Sequence, residues 1–173
     1  MTDPSLIPAW RDGVLSPVDK MQVHLEGLPH RAVSVFVFHD GALLIQQRAV
    51  GKYHTPGLWA NTCCTHPIWG EPDLACAERR LDEELGIGGL DLEDLGEVEY
   101  RADVGNGMVE HEHVRLFRAS PVVAPVITLN PDEVAGTRWV TLDTLREEIA
   151  QTPERFTPWL RIYLSDHAAR ILP

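Results

Sequence analysis

The stretch 31–48 is the strongest constraint on what this 173-residue chain can fold into. Residues 31–39, RAVSVFVFH, are rich in β-branched and aromatic side chains and form a strand. Asp40-Gly41 then supplies a tight turn, and ALLIQQR at 42–48 returns as a second strand. Residues 49–70 hold five aromatic or histidine side chains and five Gly/Pro, too broken for a long element, and read as an ordered loop. A helix is expected from Pro72 to Leu85: proline suits the first helical position and Gly86 is a natural stop. Leu74, Ala77, Leu81 and Leu85 recur at helical spacing and would form its buried stripe.

Further strands are expected near 94–101, 108–119 and 137–140, and helices near 141–150 and 153–168. Strands first, with helices interspersed and at the end, point to an α/β or α+β sandwich, a mixed sheet flanked by helices. No repeat or Gly/Ser-rich linker divides the chain, so one domain over 1–173, with a core at about 30–165, is expected. With 44% hydrophobic and 24% charged residues, it is no disordered tail, collagen-like repeat or coiled coil. Fifteen basic against 26 acidic residues leave a net charge of −11, which repels nucleic-acid phosphates. The three cysteines, Cys63, Cys64 and Cys76, make a poor disulfide framework and suit a reducing compartment. The N-terminal residues lack a signal-type apolar run, and no stretch approaches a membrane span of about 20 apolar residues. A soluble cytoplasmic protein, with no nucleic-acid or membrane partner, is the expectation.

Residues that could carry chemistry cluster in three places. In Ala60-Asn61-Thr62-Cys63-Cys64-Thr65-His66-Pro67, an extended backbone would send Cys64 and His66 to one side and Cys63 and Thr65 to the other. A thiol two residues from an imidazole is a metal site, a nucleophile, an acid–base pair, or simply a small buried thiol beside a core histidine. In Met108–Leu116, Glu110 and Glu112 share a face with Met108, Val114 and Leu116, while His111 and His113 take the opposite face. Two carboxylates on a face that continues into core are costly without a cation between them. The alternative is that this face is solvated. In the helix, Arg80 and Glu84 lie four apart, alone no more than a surface ion pair of about 0.3–0.5 kcal/mol. A glutamate aimed at a phosphate there would need a divalent cation between the two anions.

Upstream, His24 and His30 flank a short loop. With His66 and the two glutamates they would make a mixed nitrogen and oxygen site suited to Zn²⁺ or Mn²⁺. Lys20, Arg48, Lys52 and Arg80 are cations among these segments that could hold a small polyanion.

Reading back from Gly86, the pattern Thr65-x5-Glu71-x7-Arg79-Arg80-Leu81-x-Glu83-Glu84-x-Gly86-Ile87 resembles a divergent Nudix box. Thr65 stands where the box has glycine, and Arg80 where hydrolytic members have a metal-binding glutamate. With Asn61-Thr62-Cys63-Cys64-x-His66-Pro67 before it and Glu110-x-Glu112 after it, the chain resembles the type 1 isopentenyl-diphosphate delta-isomerases, from about Pro8 to about Leu164.

The resemblance implies Cys64 as catalytic thiol and Glu112 as catalytic carboxylate, assisted by Tyr100. It implies a metal, Mn²⁺, Zn²⁺ or a second Mg²⁺, held by His24, His30, His66, Glu110 and Glu112. Glu84 would help hold the Mg²⁺ that bridges to a diphosphate substrate bound by Lys20, Arg48, Lys52 and Arg80. Trp159 would face a cationic intermediate, and Trp59 would line the same pocket. The implied activity is interconversion of isopentenyl and dimethylallyl diphosphate in isoprenoid biosynthesis, by a monomer or weak homodimer. A Nudix hydrolase using Glu83 and Glu84 with Mg²⁺ is the alternative, and a non-catalytic diphosphate sensor a third reading.

Overall fold

The computed structural model describes residues 3–173. Its strands are β1 (Leu6–Arg11), β2 (Val14–Asp19), β3 (Pro29–His39), β4 (Ala42–Arg48), β5 (Trp59–Ala60), β6 (Cys63–Thr65), β7 (Glu93–Gly105), β8 (Met108–Ala119) and β9 (Val134–Thr141). Its α-helices are α1 (Lys20–Glu26), α2 (Asp73–Leu85), α3 (Leu142–Gln151), α4 (Pro158–Asp166) and α5 (Ala168–Ile171).

The sheet is built around β3. Along one edge β3 runs parallel to β8, which continues antiparallel to β7; along the other it meets β1 and then β6. Its C-terminal end turns through Asp40 and Gly41, both at positive φ as a tight hairpin requires, into β4, which pairs with β9 and β5. Alternation along β3 divides the core in two. Val33, Val35 and Val37 face α2 and pack on Cys76, Ala77, Leu81 and Leu85. Ala32, Phe36 and Phe38 face the other way, onto Val114 and Leu116 of β8, Leu145 of α3 and Trp159, Leu160 and Tyr163 of α4.

The α2 helix matches its expected span within one residue, with Pro72 as N-cap rather than first helical residue. Gly86 ends it at φ 63°, its N–H donating to Leu81 and Asp82 carbonyls. Leu74 departs from expectation: it is exposed, and the buried stripe is Cys76, Ala77, Leu81, Glu84 and Leu85. The segment 49–70 is not loop throughout, because the short strands β5 and β6 find edges on β4 and β3. Nor is 153–168 one helix. A 3-10 turn, Pro153–Arg155, is followed by a break, and Thr157 caps a new helix whose first residue is Pro158. The hairpin of β1 and β2 and the helix α1 add to the expected elements. Among the described residues, no helix is long and apolar enough to cross a membrane.

Candidate active site

Strand register places the site. Across the β3–β8 pair His30 stands beside Glu112; across β7–β8 Tyr100 faces Glu112; across β3–β6 Ser34 faces Cys64. All lie on the face of the sheet that α4 covers. The short helix α1, capped by the Asp19 carboxylate on the N–H groups of Met21 and Gln22, brings Lys20 and His24 over the end of this face. One cavity is lined by Lys20, Arg48, Lys52, Cys64, His66, Arg80, Glu84, Glu110, Glu112 and Trp159, ten of the expected residues.

His24, His30, His66 and Glu112 each offer a ligand atom, all within 4.8 Å of one another, and all four are buried. His24 Nδ1 lies 2.7 Å from the Lys20 carbonyl and His30 Nδ1 2.8 Å from the Leu28 carbonyl. A carbonyl only accepts, so both Nδ1 atoms carry hydrogen and point Nε2 into the cluster. Those two Nε2 atoms, with His66 Nδ1, have no hydrogen-bond partner among the described residues. Burial, then the neighbouring His30, lowers His24 to about 4, and burial likewise depresses His66. Imidazole ligand atoms gathered next to buried carboxylates, with unpartnered nitrogens among them, fit a divalent cation.

Tyr100 Oη lies 2.8 Å from Glu110 Oε2 and 2.7 Å from Glu112 Oε2. Tyr100 is the donor in both contacts, and with one hydroxyl proton it serves the two carboxylates unequally. Electrostatics agree. Burial and the adjacent Glu112 push the Glu110 carboxyl well above its ordinary range. Burial would raise Glu112 too, but the nearby His30 imidazole, its Nε2 at 3.6 Å, and the hydrogen bond from His66 at 2.9 Å hold it well below.

Cys64 Sγ lies 2.9 Å from Ser34 Oγ, which lies 2.9 Å from Tyr163 Oη. Burial, Glu112 and Glu110 push the thiol up, so it keeps its proton. Cys63 points the opposite way, into the α2 side of the core, as alternation requires. Between Cys64 and Glu112 runs β3, with Cys64 opposite Ser34 and Glu112 opposite His30, four residues away along it. The indole of Trp159 is buried and lines the same cavity, with the Arg48 guanidinium 5.2 Å from its ring centre.

At the other end, Arg80 pairs with Glu84 at 2.6 Å and Glu133 at 3.2 Å, and Lys52 pairs with Glu133. Gln46 Nε2 donates to the second oxygen of Glu84 at 2.9 Å. Burial, reinforced by Lys52, Arg80 and Arg48, lowers Lys20 to about 8. A cation lowered by other cations marks a place made for an anion.

Trp59 departs from expectation. Its ring lies under the Arg138 guanidinium at 4.9 Å and is not among the cavity's lining residues. His111 and His113 take the solvent-side face, where they contact Glu99. The sequence reading missed Ser34, Tyr53, His54, Glu133 and Tyr163. Ser34 sits four residues after His30 on the same strand face, and Tyr163 four after Trp159 on α4, so periodicity held the signal for both. His54 stands two residues from Lys52, in a segment without period.

The NUDIX domain family pattern matches residues 28–160. An isopentenyl-diphosphate Delta-isomerase of Rhodobacter capsulatus is 57% identical over 168 residues, covering 97% of this chain and 96% of its own. One from Cereibacter sphaeroides is 58% identical, covering 97% and 95%. Among solved structures, DR0079 of Deinococcus radiodurans superposes with a TM-score of 0.73 at 18% identity, covering 92% of this chain and 96% of its own. A MutT NUDIX hydrolase of Burkholderia pseudomallei gives 0.62 at 25% identity, covering 80% and 98%. The sandwich is therefore shared with hydrolases, while the full-length likeness is to isomerases.

Proposed function

Since the chain belongs to the NUDIX domain family and, within it, to the isopentenyl-diphosphate Delta-isomerases, we propose that Cys64 and Glu112 are the two acid–base groups of the allylic rearrangement. The enzyme interconverts isopentenyl and dimethylallyl diphosphate. The observation that carries the assignment of roles is that a thiol and a carboxylate, on strands either side of β3, border one cavity that four cations also line.

Moving the double bond adds a proton at one carbon and removes one from another, so no electrons are exchanged with a second reactant. Cys64 and Glu112 between them give one proton and take one. Tyr100 holds the Glu112 carboxylate through its hydroxyl. Protonating an unactivated alkene leaves positive charge on carbon, which the Trp159 indole stabilises by roughly 1–2 kcal/mol in a desolvated site. Lys20, Arg48, Lys52 and Arg80 anchor the diphosphate, so that binding far from the alkene positions the reacting carbons. His24, His30, His66, Glu110 and Glu112 would hold a divalent ion, Zn²⁺, Mn²⁺ or Mg²⁺, and Glu84 a Mg²⁺ at the diphosphate. Such ions supply positive charge that orients Glu112 and neutralises the phosphates. The chain works as one domain, over 1–173, in the cytoplasm, as a monomer or weak homodimer.

Turnover of isopentenyl diphosphate in D₂O should place deuterium in the carbon skeleton of the product and release no phosphate. Phosphate release without deuterium incorporation would establish hydrolysis instead. Arg80, held by Glu84 and Glu133, stands against that outcome, because a guanidinium is neither metal ligand nor base.

A further inference from the structure

One buried imidazole beside the cation site has no role in the scheme above. His54, between β4 and β5, is 2% exposed, and its Nε2 has no hydrogen-bond partner among the described residues. Its Nδ1 meets the Thr55 hydroxyl at 3.0 Å, and its carbonyl accepts from Arg48 Nη2 at 3.2 Å. Thr55 itself stands at φ 46°, in the left-handed region, where a β-branched residue is strained by about 1–3 kcal/mol. Such strain persists where the surroundings fix the residue from several sides. Here it accompanies a ring turned inward, with Nε2 3.3 Å from Glu110 Oε1 but not aligned as a hydrogen bond.

His24, His54 and Glu110 each offer one ligand atom within 4.8 Å of the others. His24 also belongs to the set with His30, His66 and Glu112. A single imidazole lone pair cannot serve two ions, so the two sets are lobes of one site. We propose that His54 is a ligand of the buried cation, entering beside Glu110 and completing a set of four imidazoles and two carboxylates. This rests on reading the cluster as a cation site. Four nitrogen donors disfavour Mg²⁺, which prefers oxygen, and select a transition ion such as Zn²⁺.

The test uses the full-length protein stripped of metal, given one equivalent of Zn²⁺, and read by long-range ¹H–¹⁵N correlation of its histidine rings. Four rings should shift, those of His24, His30, His54 and His66, the His54 signal being the one absent from His54→Gln. In a chelator competition, His54→Gln and His54→Asn should each bind Zn²⁺ at least about tenfold more weakly, the lower range for outer-shell partners alone. Three shifted rings, with His54 unmoved, would overturn the assignment and leave the cation site standing. No shifted ring in the unsubstituted protein would overturn both. The spectrum of the unsubstituted protein decides the question even if the variants fold poorly.

Discussion

Cys63 and Cys64 are neighbours in sequence with opposite surroundings, and their replacement should separate them. Cys64→Ala removes the thiol that faces Ser34 and the cavity, and should lower kcat by about 10⁴-fold, the upper range for one acid–base group. Cys63→Ala removes a thiol packed against α2, whose one polar contact is Glu84 at 3.6 Å, and should leave kcat within about tenfold. Steady-state kinetics on both variants check this; the reverse pattern would exchange the roles. The same alternation made Glu110 and Glu112 legible as an inward pair and His111 and His113 as an outward one. Where the backbone has no period, side-chain direction cannot be read in this way. Such a segment carries no signal for His54, nor for the Trp59 ring, which lies under Arg138 and is not among the residues lining the cavity.

Elements with their own local signals were readable; those that exist through their neighbours were not. The end of α2 is the clearest local signal. Gly86 adopts φ 63°, and a Cβ placed there would lie 2.9 Å from Thr128 Cβ. Gly86→Ala should therefore destabilise the fold by about 2 kcal/mol or more, from left-handed strain of about 1–2 kcal/mol plus the clash. Urea unfolding midpoints measure it, and an unchanged midpoint would refute the account. The strands β5 and β6, two and three residues long, carry no pattern of their own and form because β3 and β4 offer open edges. In the hairpin of β1 and β2, Pro8 faces Pro17, and prolines ordinarily argue against a strand. Leu74 shares the helix face of Leu81 and Leu85 but lies in the first turn of α2, where it is exposed, a difference that spacing alone does not show.

At the scale of the whole molecule, the mixed sandwich followed from the order of patterned segments, and the family likeness spans nearly the entire chain. The cavity's electrostatics are a different matter, since they depend on which charges the fold brings together. Lys20, Arg48, Lys52 and Arg80 line one cavity of a chain whose net charge is −11. Two of the four, Lys52 and Arg80, are already paired with carboxylates. An approaching diphosphate therefore meets repulsion at long range and attraction only at the mouth. Screening reaches about 30 Å at 0.01 M salt and about 8 Å at 0.15 M, so added salt weakens the distant repulsion before it weakens the close attraction. The association rate constant, followed by stopped-flow tryptophan fluorescence at fixed Mg²⁺, should hold level or rise across that range. A steep fall would mean that the four cations govern the encounter from afar. The molecule would thus capture its substrate without steering it, and its working speed would be indifferent to the ionic strength around it.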